Sequence, residues 1–379
     1  MNNYFKNRGD KNMNFEIIED VKRWEQIYNS TPFFQGKVYF SPYYCKALEN
    51  NLEGKAVLCY FEHQTKDGLI KVLYPFIIKE IPEELTKDFS NETLYDIESP
   101  YGYGGPMIFT EEGYLYNDER DPENEYALTF TKDFLNWANS KNIVAEFVRF
   151  NPITMNHNLF VSHYTIELNR KTVSINTIND FESMLSKATS ARKRNYYKAL
   201  NNGLEVVWCP LKDEDAMLCF RDLYDSTMNR LEADKYYYFS DAYFKTLAQL
   251  PDQGLIGIAL YNKEIPIASS LFLFDELSAH YHLGGSDDEY KDLQGSAFLL
   301  WEGAKVAHEM GLECLHLGGG LSLNPEDKLF AFKKGFSSNI HEFYIGKRII
   351  NHSLYNAISE AWVKKTKKKP TIFLHYHDL

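Results

Sequence analysis

Between Asp292 and Leu317 the chain reads Asp-Leu-Gln-Gly-Ser-Ala-Phe-Leu-Leu-Trp-Glu-Gly-Ala-Lys-Val-Ala-His-Glu-Met-Gly, followed at once by Leu-Glu-Cys-Leu-His-Leu. Ala297, Leu300, Trp301, Ala304 and Ala307 recur at helical spacing, Ser296 stands where an N-cap is expected, and Gly311 suits a left-handed stop. A helix with one apolar stripe, ended by glycine and followed directly by a β-type run, must pack on a sheet. Gln294 and Gly295 precede it, so the first backbone N–H groups, at Gln294, Gly295, Ser296 and Ala297, are expected to meet an anion without a bulky side chain between.

The flanks agree with this reading. Upstream lie strand-like runs at 255–261, 266–274 and 277–283, joined at Asn262-Lys263-Glu264 and Asp275-Glu276, with a turn expected at Gly284-Gly285-Ser286. Downstream come a strand at 314–317 and a short helix ending in Phe332-Lys-Lys-Gly-Phe336. The first half follows a similar order: strands at 56–62 and 69–78, a glycine-rich turn from Ser99 to Pro106, a helix near 126–140 and a strand at 143–150. Tyr101-Gly-Tyr-Gly-Gly-Pro and Tyr281-His-Leu-Gly-Gly-Ser occupy matching places, though a motif so short leaves duplication open. Residues 177–200 read as one helix with a basic face. At 379 residues the chain exceeds the size of a single core, and a boundary near 170 predicts domains at 14–170 and 171–379. The fold class expected is α/β (α+β).

Hydrophobic residues make up 44% of the chain, with 27 Tyr and 26 Phe, which excludes a disordered protein. A formal charge of −12 argues against coating nucleic acid or an anionic membrane through the overall field. Cys45, Cys59, Cys209, Cys219 and Cys314 are scattered without a CxxC pair, which fits a reducing compartment. The N-terminal stretch Met1 to Asp20 lacks the apolar run of a signal peptide, and no later run is long enough to span a bilayer. A cytoplasmic protein is expected, with peripheral attachment to the inner membrane face left open. His375-Tyr-His377-Asp378 has ligand-type residues but no partner cluster, so no metal is expected. The basic run 364–369 reads as a solvated segment. Walker, Rossmann and nucleophile-elbow patterns find no supporting context.

Strands, phosphate turn, helix, strand and a short helix closing on Gly-Phe is an order similar to that of GNAT acyltransferases. Over the whole chain, Ser99–Pro106, Arg192–Val206, Tyr236–Phe244, Tyr281–Ser286, Gln294–Gly320 and Phe332–Phe336 resemble the FemAB-like (Fem-type) branch, in which two GNAT-like domains share one polypeptide. The resemblance implies two tandem GNAT-like domains, each a mixed, mainly antiparallel sheet flanked by helices. It also implies acyl transfer. Members of the branch include peptidoglycan aminoacyltransferases that use aminoacyl-tRNA, and relatives tied to cell-envelope or polysaccharide assembly that are presumed to use acyl-CoA.

Carried onto this sequence, the resemblance makes Lys333 the lysine beside the reacting carbonyl or the donor phosphate, where a cation stabilises developing negative charge. Gly285 and the Gln294–Ala297 turn become donor-binding residues. Arg230, Tyr237, Tyr238, Tyr101, Tyr103, Arg192 and Arg194 become candidates for holding anionic parts of the substrates. Ala331 stands where many acetyl-CoA-dependent enzymes carry a tyrosine that protonates the leaving thiolate. Tyr281 or a water is then the candidate for that acid, and a base must take a proton from the attacking amine, for which His282 and Asp287 are candidates. Strand alternation puts His280 and His282 on one face and Tyr281 on the other, so Tyr281 and His282 share a cleft only across a bulge.

Three functions follow as expectations. The first is an N-acyltransferase moving an acyl group from acyl-CoA, acetyl-CoA foremost, to an amine on a sugar nucleotide, lipid-linked sugar or peptide of the cell envelope. The second draws an aminoacyl group from tRNA. The third is a binding protein that kept the fold without the chemistry.

Overall fold

The computed structural model describes residues 13–378; the first twelve residues of the polar N-terminal stretch lie outside the described residues. The chain packs as two compact units, one formed by residues 13–32, 48–168 and 344–378, the other by 33–47 and 169–343.

In the first unit β1 (Met13–Ile18), β2 (Gly54–Thr65) and β3 (Gly68–Glu80) form an antiparallel meander, continued by β4 (Tyr95–Glu98). A small hairpin of β5 (Met107–Thr110) and β6 (Gly113–Tyr114) pairs with the first half of β3. β4 then runs parallel to β7 (Ile143–Arg149), the helix Glu125–Ser140 crossing between them. Asn124 caps that helix by accepting from Ala127 N at 3.0 Å, and its buried face sets Phe130, Phe134 and Trp137 against Phe61 and Phe76. Residues 345–349, the end of β14 (Asn339–Ile349), pair antiparallel with β7.

The second unit follows the same order. β9 (Glu205–Pro210), β10 (Gly254–Tyr261), β11 (Ile265–Phe274) and β12 (Ser278–Ser286) are antiparallel neighbours. β12 is parallel to β13 (Cys314–Gly319) across the helix Gly295–Glu309, and β13 is antiparallel to β8 (Thr165–Asn176). Each unit is thus a mixed, mainly antiparallel sheet flanked by helices, with one parallel pair in the middle. The stripe Ala297, Leu300, Trp301, Ala304 and Ala307 is buried on that sheet, each at 2% exposure or less.

Three local readings change. Gly284, Gly285 and Ser286 continue β12 rather than turning, because Gly285 lies so near the Glu214–Arg230 helix that a Cβ there would stand 2.4 Å from the Leu223 carbonyl oxygen. Residues 177–200 form two helices, Phe181–Ser186 and Ser190–Asn201, with Thr189 capping the second. The N-cap of Gly295–Glu309 is Gln294, held at φ 66°, with no side-chain cap; Ser296 lies inside the first turn. At the C-terminus, His377 Nε2 lies 2.9 Å from Asp96 Oδ2 and the Tyr376 hydroxyl donates to Asp96 Oδ1 at 3.2 Å, so the ligand-type residues there satisfy a buried carboxylate.

Candidate functional site

The parallel pair β12 and β13 holds together for three residues only, Ser278–His280 against Cys314–His316. Beyond His280 and His316 the strands part, β12 running on to Ser286 and β13 to Gly319. A β-bulge falls at this point: Leu283 pairs with Leu271 and Tyr281 with Phe272, leaving His282 as the extra residue. The bulge that sharing one cleft would require is present, but His282 packs against Tyr243 and Tyr44 and Tyr281 lies beside Lys333.

Lys333 occupies the split. It stands on the helix Lys328–Lys334, is 7% exposed, and its Nζ donates to the Gly319 carbonyl at 2.9 Å on one strand while lying 5.5 Å from the Tyr281 ring centre on the other. Asp327 fixes that helix by accepting from the backbone of Phe330, Leu321 and Ser322. Burial strips the ammonium of water, and Arg170, which donates to the next carbonyl at Gly320 (2.9 Å), repels it. The pKa falls to about 7, with Asp327 partly opposing the shift. Lys333 is therefore poised between amine and ammonium near neutral pH.

This poise has a stability signature. In the unfolded chain a lysine keeps its proton to about pH 10.4, so between pH 7 and that value the unfolded state binds more protons than the folded one. Folding stability attributable to Lys333 then rises with pH, by up to about 1.4 kcal/mol per unit, and is flat below pH 7 where both states are charged. Urea unfolding of wild type and Lys333→Met at pH 7, 8 and 9 should show the gap between them moving in favour of wild type as pH rises. Parallel stabilities across that range would contradict the buried, depressed lysine.

His282 faces other company. Its Nε2 is hydrogen-bonded to the Tyr243 hydroxyl and its ring meets Tyr44 edge-on at 5.7 Å, while neighbouring His280 meets Tyr39 at 4.9 Å. Desolvation, aided by His280, lowers the His282 pKa to about 3. Tyr281 is pushed the other way, to about 12, by desolvation. Asp287 accepts from Glu289 N, its own N–H going to the Ile267 carbonyl.

The start of the Gly295–Glu309 helix lies beside the Ser190–Asn201 helix. A Cβ on Gly295 would stand 2.9 Å from the Ala268 Cβ, so only glycine lets the helix begin this close to β11. Asn195, its amide oriented to donate to the Ala191 carbonyl at 3.1 Å, accepts from Arg192 Nη1 at 2.9 Å and sits 2.7 Å from the Gln294 side chain. The Arg192 guanidinium stacks on Phe332 at 4.4 Å and lies 5.6 Å from Phe336, and its buried Nε has no partner. Arg194, two residues on, is exposed. Arg192, Asn195 and Gln294 thus gather at an uncapped helix N-terminus, an arrangement suited to an anion. Asn195, Arg170 and Asp327 were not foreseen, since nothing in their sequence surroundings separates them from ordinary polar residues.

The remaining candidates are placed as follows. Arg230 is exposed, 3.3 Å from the Ser286 carbonyl and 3.5 Å from Asp288. Tyr237 offers its carbonyl to the Tyr224 hydroxyl (2.7 Å), and the Tyr238 hydroxyl donates to Asn229 Oδ1 (3.0 Å). Tyr101 and Tyr103 are half-buried in the first unit, on a turn that Asn156 pins by donating to the Gly104 and Pro106 carbonyls, both at 3.0 Å. There the parallel pair β4 and β7 stays closed past its last rung: Ser99 N donates to Phe147 O at 2.9 Å, Gly104 N to Arg149 O at 2.7 Å, and Arg149 pairs with Glu98 at 2.6 Å.

The second unit, a mixed sheet whose central parallel pair parts ahead of a glycine-started helix, has the GNAT fold; the first repeats its strand and helix order with the pair closed and an asparagine-capped helix, so the chain has a tandem GNAT-like fold. Residues 255–361 match the FemAB family. Aminoacyltransferase FemA of Staphylococcus epidermidis is 30% identical over 114 residues, 28% of this chain and 27% of FemA, so the matched stretch spans about a quarter of that relative. Among solved structures, FemX superposes with a TM-score of 0.63 at 14% identity, covering 90% of this chain and 99% of FemX. L-PGS from Bacillus licheniformis gives 0.53 at 12% identity, over 93% and 98% of the two chains. Residues 255–361 are thus FemAB-like in sequence, and the chain as a whole shares its fold with FemX. Among the described residues no helix is long and apolar enough to cross a membrane, and no group of three or more His, Cys, Asp or Glu is placed to hold a metal ion.

Proposed function

We propose that this chain transfers an aminoacyl group from aminoacyl-tRNA to a primary amine of a cell-envelope precursor, with Lys333 and Tyr281 at the reacting centre. The observation that carries the reading is Lys333 bridging the parted strands, inside the stretch 255–361 that matches the FemAB family. The amine attacks the ester carbonyl, a C–N bond forms, the C–O bond to the ribose breaks, and the amine's proton passes to the departing ribose oxygen. A cation at Lys333 would stabilise the oxyanion of the tetrahedral intermediate. An approaching anionic donor favours that charged form, so its binding is accompanied by proton uptake near neutral pH.

Arg192, Asn195, Gln294 and the first turn of the Gly295–Glu309 helix are proposed to hold donor phosphate, and Arg230 with Tyr237 and Tyr238 an anionic part of the acceptor. His282, held neutral against Tyr243 and too weak a base at a pKa of about 3, fits a packing role better than proton abstraction.

Acyl-CoA as donor is the second reading, favoured by the split strands and open helix start that a pantetheine and pyrophosphate would fit. Ala331, exposed on its helix, offers no acid for a thiolate and weighs toward the ribose leaving group. Filter retention with aminoacyl-tRNA and calorimetry with acetyl-CoA and longer acyl-CoAs, on one preparation, decide between them. The expected outcome is retention of aminoacyl-tRNA at micromolar levels without heat from CoA at about 1 mM. The reverse pattern replaces tRNA by CoA; failure of both leaves a binding protein.

A further inference from the structure

The first unit contains a cavity of about 440 Å³, within the size range of small-molecule sites, that the transfer chemistry does not use. Its polar lining is Ser162, His163, Thr165, Lys347, Arg348 and His352. Two basic residues, two histidines and two hydroxyl residues border one space.

Arg348 is the telling member. Its side chain is only 9% exposed, and Nε and Nη2 both donate to Oε2 of the fully buried Glu146, the former at 2.7 Å. The other oxygen of Glu146 is taken by the Tyr74 and Tyr164 hydroxyls, both at 2.7 Å, and the guanidinium stacks on Tyr164 at 4.3 Å. One edge of the fork is thus locked. The remaining nitrogen, Nη1, is buried with no hydrogen-bond partner. An orphaned guanidinium N–H is costly, and its residue lines the cavity.

A second feature converges there. His352 begins the helix His352–Thr366, whose cap, Asn351, uses its side chain on Leu354 N at 3.0 Å. The positive end of a 15-residue helix therefore opens at the cavity wall. The nearby carboxylates are already engaged, Glu146 by Arg348 and Glu167 by Lys347.

We infer that this cavity binds the phosphate group of a phosphate monoester, with Arg348 Nη1, His163, His352 and the start of the His352–Thr366 helix as its donors. A three-oxygen dianion uses donors converging from several sides, which a flat carboxylate with two oxygens does not. The site lies within the first unit, so it stands or falls independently of the donor assignment at Lys333.

Calorimetry and thermal unfolding of the full chain with inorganic phosphate, sn-glycerol 3-phosphate, succinate and salt-matched chloride test it, alongside flotation with phosphatidic acid vesicles. Wild type should bind sn-glycerol 3-phosphate and phosphate, succinate much less. Flotation without binding of the free ester would make the source a lipid headgroup, with the phosphomonoester chemistry kept. Arg348→Lys keeps a cation for Glu146 but loses the free fork nitrogen, and should bind at least about tenfold more weakly. Should that variant fail to fold, the His163→Gln/His352→Ala double variant, which leaves the Glu146 pair intact, should show the same weakening. No binding to wild type by any of the phosphates at about 10 mM, succinate binding as well as phosphate, or variants binding like wild type would overturn the inference.

Discussion

Alanine in place of Lys333 is expected to lower single-turnover transfer from aminoacyl-tRNA by about 100-fold or more, the scale on which removal of one preorganised oxyanion partner acts. The folded state should survive. Lys333 is a buried ammonium whose one hydrogen bond runs to the Gly319 carbonyl, and its depressed pKa means that burial already disfavours its charge. Deleting it removes a desolvated charge near Arg170 while leaving Asp327 to cap the helix and Phe336 to pack at 5.1 Å on Trp301. Loss of rate with an intact unfolding transition would separate chemistry from scaffolding, and Lys333→Arg should recover part of the rate only if charge at the split is what matters. Retention of more than about a third of the wild-type rate in the alanine variant, a loss far below that scale, would remove Lys333 from the reacting centre.

Replacing Glu146 with leucine should have the opposite profile, destabilising the protein by about 3–5 kcal/mol. The substitution strands the Arg348 guanidinium without its carboxylate and leaves the Tyr74 and Tyr164 hydroxyls without an acceptor, all inside an aromatic core that includes Phe134 at 5.2 Å from the guanidinium. The double variant Glu146→Leu/Arg348→Met removes both charges and should recover much of the loss, since the cost lies in an unpaired buried charge rather than in the missing attraction. Urea unfolding of the two singles and the double measures the coupling. A single-variant effect below about 1 kcal/mol would mean that water reaches this pair, in conflict with its burial.

The two halves of the chain were unequally legible. The second half carried strong local signals: apolar alternation over 255–283, the five-residue stripe of the Gly295–Glu309 helix, and the Phe-Lys-Lys-Gly-Phe ending, each written in contiguous residues at the period of its element. These were enough to predict the strand–helix–strand order and the FemAB-like resemblance, and to single out Lys333 as a candidate. The apparent single helix at 177–200 broke because Thr189 caps its own helix, a competition between side chain and backbone that charge patterning does not reveal.

Gly285 and Lys333 show where that legibility stops. In sequence, Gly284-Gly285 reads as a turn; only the approach of the Leu223 backbone makes glycine the requirement of a strand packed under a helix. The family resemblance picks out Lys333, yet its titration near neutrality depends on burial and on Arg170, 163 positions away along the chain. By itself the sequence determined the elements and their order, because helix and strand periods are set by neighbours along the chain. Tertiary structure alone decided that residues 344–378 join the first unit, that β12 and β13 part after three rungs, and that Arg348 keeps one nitrogen free. Burial, pKa and hydrogen-bond satisfaction are properties of groups brought together from distant positions, and no local period encodes them.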